Sequence, residues 1–245
     1  MLKNISLCVD GAGITCLMGP NGSGKTTLLG CIMKIISDGR SISIDGTSLS
    51  KLKRSEISRR IAYIPQIHSV TFPYTVRDAV LMGRMAYAGL FGSPEKSDFE
   101  ACERAMEQAG ISGFADRTYS SLSGGEIRLV LLARALCQDA GIILMDEPTA
   151  FLDFRNELMF LESAARLAIE NNVSVIMATH SPNHGFWFES RNVPVDCVLM
   201  SGGMIYGRGT PSEIITESSI KDVYGVESRI ISDGAEKSVV MTAFS

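Results

Sequence analysis

Short apolar runs closed by turn residues recur along the chain: ITCLMG at 14–19, SISIDG at 41–46, IAYIPQ at 61–66, IILMDE at 142–147, VSVIMATH at 173–180 and VDCVLMSGG at 195–203. Several are apolar at successive positions rather than at alternate ones, the pattern of strands covered on both faces. Stretches of helical periodicity separate them, which is the order of an α/β fold. From Thr75 to Leu136 the pattern changes: no strand candidate appears, Phe99, Cys102, Met106 and Ala109 fall on one helix face, and Ile127, Val130, Leu131 and Arg134 on another. Three capping-box signals open these helices, Thr75-x-x-Asp78, Ser97-x-x-Glu100 and Ser123-x-x-Glu126. The expected organisation is an α/β core over residues 1–74 and 137–245, a mainly parallel sheet with an antiparallel portion, interrupted by a helical subdomain at 75–136. Within that subdomain MAYAGLFGSPEK reads as a surface linker. After Val195, the strand, the SGG turn and MIYGRG predict an antiparallel hairpin, and PSEIITESSIKDVYGV predicts two short helices, with Pro211 and Ser212 opening the first.

Two polar clusters break this pattern at positions where burial alone gives no reason for them. GPNGSGKT, residues 19–26, fits the P-loop pattern G-x-x-x-x-G-K-[ST] and lies between a buried strand and the helical run TTLLGCIM. Its glycines Gly19, Gly22 and Gly24, with Pro20, Asn21 and Ser23 between them, let backbone N–H groups converge on phosphate oxygens at a helix N-terminus. Lys25 suits the β- and γ-phosphates, and Thr26, followed by Thr27, suits a magnesium ion. The second cluster ends the apolar strand IILMDEP: Asp146 fits the Mg²⁺ shell and Glu147 a general base toward water, since two adjacent acids at a buried strand's end are costly without such a use. Gln66 and His180 each end a strand, and both are candidates for the γ-phosphate region, Gln66 toward metal and water and His180 toward a phosphate oxygen. His68 and His184 read as solvated loop residues.

The bulk numbers narrow the field without naming a ligand. With 245 residues the chain is long enough for one large domain or a core with a modest subdomain. A net charge of −4 gives no general basic field and weighs against nucleic acid as the main partner. Six cysteines, at 8, 16, 31, 102, 137 and 197, have no CxxC spacing and read as reduced thiols. No run approaches the roughly 18 apolar residues of a spanning helix, and the N-terminal residues have no signal-peptide pattern, so membrane association is expected through a partner.

A second glycine-rich turn, LSGGE at 122–126, precedes the apolar helix IRLVLLARAL. Taken together, GPNGSGKTT, Gln66, LSGGE, IILMDEP, TAFLD and THSPN, in that order, make the chain resemble an ATP-binding-cassette ATPase over nearly the whole family domain. The resemblance implies an ATPase using ATP and Mg²⁺, with Glu147, His180 and Gln66 catalytic and with Thr26, Gln66 and Asp146 at the metal. It implies a head-to-tail homodimer in which Ser123, Gly124 and Gly125 cover the nucleotide held by the other subunit and Asp153 of the TAFLD stretch joins that site. YTVRDAVLMGRMAY, AMEQAGISGFADRTYSSLSGGE and VYGVE look most similar to cassettes importing iron–siderophore, haem or cobalamin complexes. On that resemblance the chain works at the cytoplasmic face of the membrane on permease subunits, served indirectly by an external substrate-binding protein. Alternatives are a molybdate, tungstate or metal-ion transporter, a soluble non-transport cassette ATPase, or a nucleotide-binding module without turnover.

Three departures from the family pattern carry expectations. Glu126 stands where the family usually has glutamine; it suits the cap, but adds a negative charge near a triphosphate and is expected to weaken closure slightly at low Mg²⁺. Only eighteen residues precede Gly19, so LKNISLCVD is read as a strand, and with no aromatic to stack on adenine as the family has, either adenine is held less tightly or the true start lies upstream of Met1, the second being favoured because a lost edge strand would expose a sheet edge. The segment HSPNHGFWFESRNVPVDCVLM is a few residues longer than usual, with Trp187 and its two phenylalanine neighbours read as packing.

Overall fold

The computed structural model describes residues 2–36, 41–66, 74–87, 93–234 and 236–244. In chain order it runs β1 (Gly13–Met18), α1 (Lys25–Ile32), β2 (Ser43–Ile44), β3 (Thr47–Ser48), α2 (Arg54–Ser58) and β4 (Ile61–Ile64). Three helices follow, α3 (Val76–Leu81), α4 (Lys96–Gln108) and α5 (Gly124–Cys137). Next come β5 (Ile142–Asp146), α6 (Phe154–Glu170), β6 (Ser174–Thr179), α7 (Asn183–Ser190), β7 (Val195–Ser201) and β8 (Met204–Gly209). The chain closes with α8 (Pro211–Ile214), α9 (Glu217–Tyr224), β9 (Val226–Asp233) and β10 (Glu236–Phe244).

Two compact units divide these elements. The first comprises residues 1–40, 144–147 and 164–245. Its sheet has the order β5-β6-β1-β7-β8, with β1 parallel to β6 on one side and to β7 on the other, Ile14 facing Val175 and Val195. Cys16, Leu17, Met18, Val175, Met177, Val198 and Leu199 are all fully buried, which is why these strands read as continuous apolar runs. β8 returns antiparallel to β7 through Gly202 and Gly203, as the SGG turn predicts. The helices α8 and α9 match the expectation for 211–224, each opened by a threonine capping box at Thr210 and Thr216. Beyond them β9 and β10 form a hairpin of their own.

Residues 41–143 and 148–163 form the second unit. Its helices α3, α4 and α5 pack Val76, Val80, Cys102, Met106, Val130 and Cys137 into one apolar core. Among its described residues the stretch from Thr75 to Leu136 contains no strand, only an isolated bridge between Thr75 and Thr118. Thr75 and Asp78 make both bonds of a capping box, as do Ser123 and Glu126.

Several local expectations are corrected. The run SISIDG is not a full strand: β2 pairs only Ser43 and Ile44 with β3, because Asp45 and Gly46, both at positive φ, form the tight Asp-Gly turn of a minimal hairpin. LKNISLCVD forms no strand; Leu2 is buried and the Lys3 N–H donates to the Gly203 carbonyl at 2.8 Å, but no ladder continues from it. The cap of α4 is Glu95, not Ser97: the Glu95 N–H donates to Asp98, whose carboxylate also accepts from Arg84 Nε at 2.8 Å, and this anchored acid starts the helix two residues early. His184 is not solvated: it is 4% exposed, inside α7, with Nδ1 2.8 Å from Thr179 Oγ1. The neighbouring aromatics pack as expected: Phe186 and Phe188 are buried and Trp187 meets Phe188 edge-on, within α7. His68 and part of the linker, at 88–92, lie outside the described residues.

Candidate active site

In the first unit, the strands β5, β6 and β1 are neighbours, so the residues after their carboxyl ends gather at one edge, where α/β sheets take ligands. The P-loop leaves β1 at Gly19 and enters α1 at Lys25. Gly19 has φ 151°, and a Cβ there would lie 2.2 Å from the Met200 carbonyl and 2.8 Å from Ser23 Oγ, so only glycine lets the loop pass this close to β7. Lys25 folds back over the loop: Nζ donates to the carbonyls of Gly19 at 2.7 Å and Pro20 at 3.2 Å and lies 3.7 Å from Glu147 Oε1. Burial lowers its pKa, and the carboxylates of Glu147 and Asp146 oppose that shift.

Ser23 Oγ is buried and has no partner among the described residues. A hydroxyl left so inside a glycine-rich loop at a helix N-terminus fits a triphosphate, whose oxygens supply acceptors the protein lacks. Thr26 Oγ1 donates to Asp146 Oδ1 at 3.0 Å, which brings together a hydroxyl and a nearly buried carboxylate, the oxygen donors that Mg²⁺ prefers.

Glu147 follows directly on β5 with φ 44°, a left-handed conformation that costs a glutamate on the order of 1 kcal/mol or more. Its N–H donates to the Ala178 carbonyl of β6 at 3.0 Å, which holds the turn. Held this way, its carboxylate faces Lys25 on one side and His180 Nδ1 at 3.8 Å on the other. Backbone strain at an acid flanked by two potential cations is the pattern expected where geometry serves chemistry rather than stability. Nothing in the sequence signals this strained backbone, because glutamate is not a residue that marks positive φ.

The remaining candidates belong to the second unit. Gln66 lies two residues past β4, and its carbonyl and that of Pro65 both accept from the guanidinium of Arg128, Pro65 at 2.6 Å. Arg128 is buried in α5, and sequence reasoning missed it; an arginine on an otherwise apolar helix face was the available signal. Ser123 caps α5, with Glu126 N–H donating to Ser123 Oγ at 3.3 Å and Ser123 N–H donating to Glu126 at 2.7 Å. A Cβ on Gly125 would lie 2.5 Å from the Asn156 side chain, and Asn156 in turn donates to both carboxylate oxygens of Asp153, at 2.8 and 2.9 Å. Asn156 therefore links Asp153 to the glycine turn at Gly125 within this unit.

The charge of Glu126 is compensated. Arg117 Nη1 lies 2.6 Å from Glu126 Oε1, and this pairing, with the Ser123 N–H, holds the carboxyl below its usual range. A depressed pKa stabilises the fold above the ordinary carboxylate range, and that contribution is lost as pH falls through the lowered value. Glu126→Gln keeps the cap but ends the ion pair, so we expect about 0.5–1 kcal/mol of lost stability at neutral pH, limited by the partial exposure of both groups. Denaturant unfolding of both proteins should show that difference shrink in acid; a constant difference would mean the pair contributes nothing.

Phosphate-cradling loop, paired acids and parallel sheet define a P-loop nucleotide-binding protein. The ABC transporter family model matches residues 2–150. An uncharacterized ABC transporter ATP-binding protein of Haemophilus influenzae is 36% identical over 225 residues, 91% of this chain and 83% of that protein. The petrobactin import ATP-binding protein FpuC of Bacillus anthracis is 30% identical over 237 residues, 96% of this chain and 85% of that one. Among solved structures, a metal-chelate type ABC transporter in an inward-facing conformation aligns with a TM-score of 0.84 at 25% identity, covering 100% of this chain and 91% of that chain. The chain belongs to the ABC transporter family and is one of its ATP-binding ATPases. Among the described residues no helix is long and apolar enough to cross a membrane.

Proposed function

We propose that the chain is the ATP-hydrolysing subunit of an importer that takes up a metal chelate, of the iron–siderophore, haem or cobalamin kind, docking from the cytoplasmic face on a membrane permease. The observation that carries this reading is the match, along 96% of the chain, to a protein named for petrobactin import. Likeness over the whole chain to a metal-chelate type transporter supports it.

In this reading the P-loop residues 19–27 hold ATP, Lys25 meeting the β- and γ-phosphates. Thr26, Asp146 and Gln66 would hold Mg²⁺, which when bound screens the triphosphate charge. Glu147 orients and deprotonates the attacking water, and His180 contacts a γ-phosphate oxygen. The capped turn at Ser123, with Gly124, Gly125 and Asp153, covers the nucleotide of a second copy, so that two ATP molecules become part of a homodimer interface and hydrolysis releases it. We place the permease contact on the helical segment 75–136.

The test is isolation from membranes of the native organism. A polytopic membrane protein should co-purify with the chain, and ATP turnover of that complex should respond to a chelate loaded on an external binding protein. Recovery of the chain with ribosomes or DNA instead would overturn the reading.

A further inference from the structure

Two attachments flank His180 that the nucleotide motifs do not require. On one side, Thr179 ends β6 in full burial; its Oγ1 accepts the Ser181 N–H at 3.1 Å and lies 2.8 Å from Nδ1 of the buried His184. On the other, Asn183, the first residue of α7, grips the last strand of the chain: Val239 N–H donates to its Oδ1 at 2.7 Å, and its Nδ2 donates to the Val239 carbonyl at 3.4 Å. Between them His180 projects with its side chain 59% exposed, 3.8 Å from Glu147. An imidazole buried this deeply must keep a partner, because leaving its nitrogen unpaired is costly. The bond from Thr179 to His184 therefore ties the end of β6 to the first turn of α7 and closes the bend from which His180 projects.

We propose that His184 is a positioning residue for ATP hydrolysis, which through Thr179 fixes the bend that holds His180 opposite Glu147. It rests on the reading that His180 contacts the triphosphate; His184 itself is buried, 4% exposed. The hydroxyl of Thr179 and the imidazole of His184 act as one unit, so removing either should have the same consequence.

The full chain is the material for the test. Thr179→Val keeps the shape and removes the hydroxyl, Thr179→Ser restores it, and His184→Leu removes the imidazole. We expect Thr179→Val and His184→Leu to lower kcat roughly 10- to 100-fold, the cost of a misplaced group, with the KM for ATP little changed. Thr179→Ser should keep most of the activity. The sequence has only three histidines, so ¹⁵N imidazole spectra are simple, and the His180 signals should move in Thr179→Val although His180 is untouched. If His184→Leu fails to fold, the Val and Ser pair at Thr179 decides alone. Unaltered kcat in Thr179→Val, or a loss that Thr179→Ser does not recover, overturns the proposal. His180→Ala separates the two claims: full turnover in that variant overturns the role of His180 itself, whereas its loss beside a normal Thr179→Val leaves that role standing and removes only the one assigned to His184.

Discussion

Glu147→Gln should still bind ATP, slow its hydrolysis by about 10²- to 10⁴-fold, the usual contribution of a general base, and accumulate as an ATP-bound dimer. Glutamine has the same shape and can occupy the same strained turn, so the Ala178 bond and the packing of β5 survive. What disappears is the charge facing Lys25 at 3.7 Å and His180 at 3.8 Å. Without it the attacking water has no proton acceptor, while one negative charge fewer stands against the triphosphate, so affinity should hold or improve. Single-turnover hydrolysis and size-exclusion chromatography at saturating ATP measure the two halves. Near-normal turnover, or a variant that stays monomeric, would count against Glu147 as the base.

Lys25→Met should reduce ATP affinity by on the order of a hundred-fold, from the roughly 2–5 kcal/mol lost when one partner of a buried charge pair is truncated. Lys25 is 4% exposed, and burial already disfavours its charge. An ammonium kept there at that cost, held by the carbonyls of Gly19 and Pro20, is a charge in wait for an anion. Thermal melting checks this directly. ATP at a hundred times its dissociation constant stabilises the wild type by about 2.7 kcal/mol, and at the same ATP concentration that should fall to about 0.4 kcal/mol in Lys25→Met, while the nucleotide-free melting temperature changes little. A retained shift would show that the loop's amides suffice without the lysine.

Much of this architecture was legible because burial on both faces writes itself as unbroken apolar runs: β1, β4, β5, β6 and β7 lie within runs recognised by that pattern. The cap at Ser123 was equally plain, since Ser-x-x-Glu before an apolar helix has a single mechanical meaning. What escaped was set by side-chain contacts that no helix or strand period announces. His184 reads as a polar residue in a loop until Thr179 is seen beside it, and Glu95 reads as linker until Arg84 fixes Asp98. The hairpin β9–β10 carried no signal, because Val226–Asp233 mixes charges with apolar residues and its pairing depends on Glu236–Phe244. Compensation of Glu126 by Arg117 was invisible for the same reason, nine positions separating the two.

The place of β1 in its sheet has a consequence for how the protein is made. The strand that launches the P-loop spans Gly13–Met18, yet both its neighbours, β6 and β7, lie beyond residue 173. A ribosome therefore delivers the nucleotide loop before its walls, and the first unit closes through pairings of very long sequence separation, the kind that form slowly. Until β6 emerges the strand Gly13–Met18 is an apolar ribbon with two unsatisfied edges, and until β7 follows it keeps one. The growing chain is thus exposed to mispairing until β6 and β7 have been made, and the competence to bind nucleotide arrives with those strands rather than with the motif that confers it.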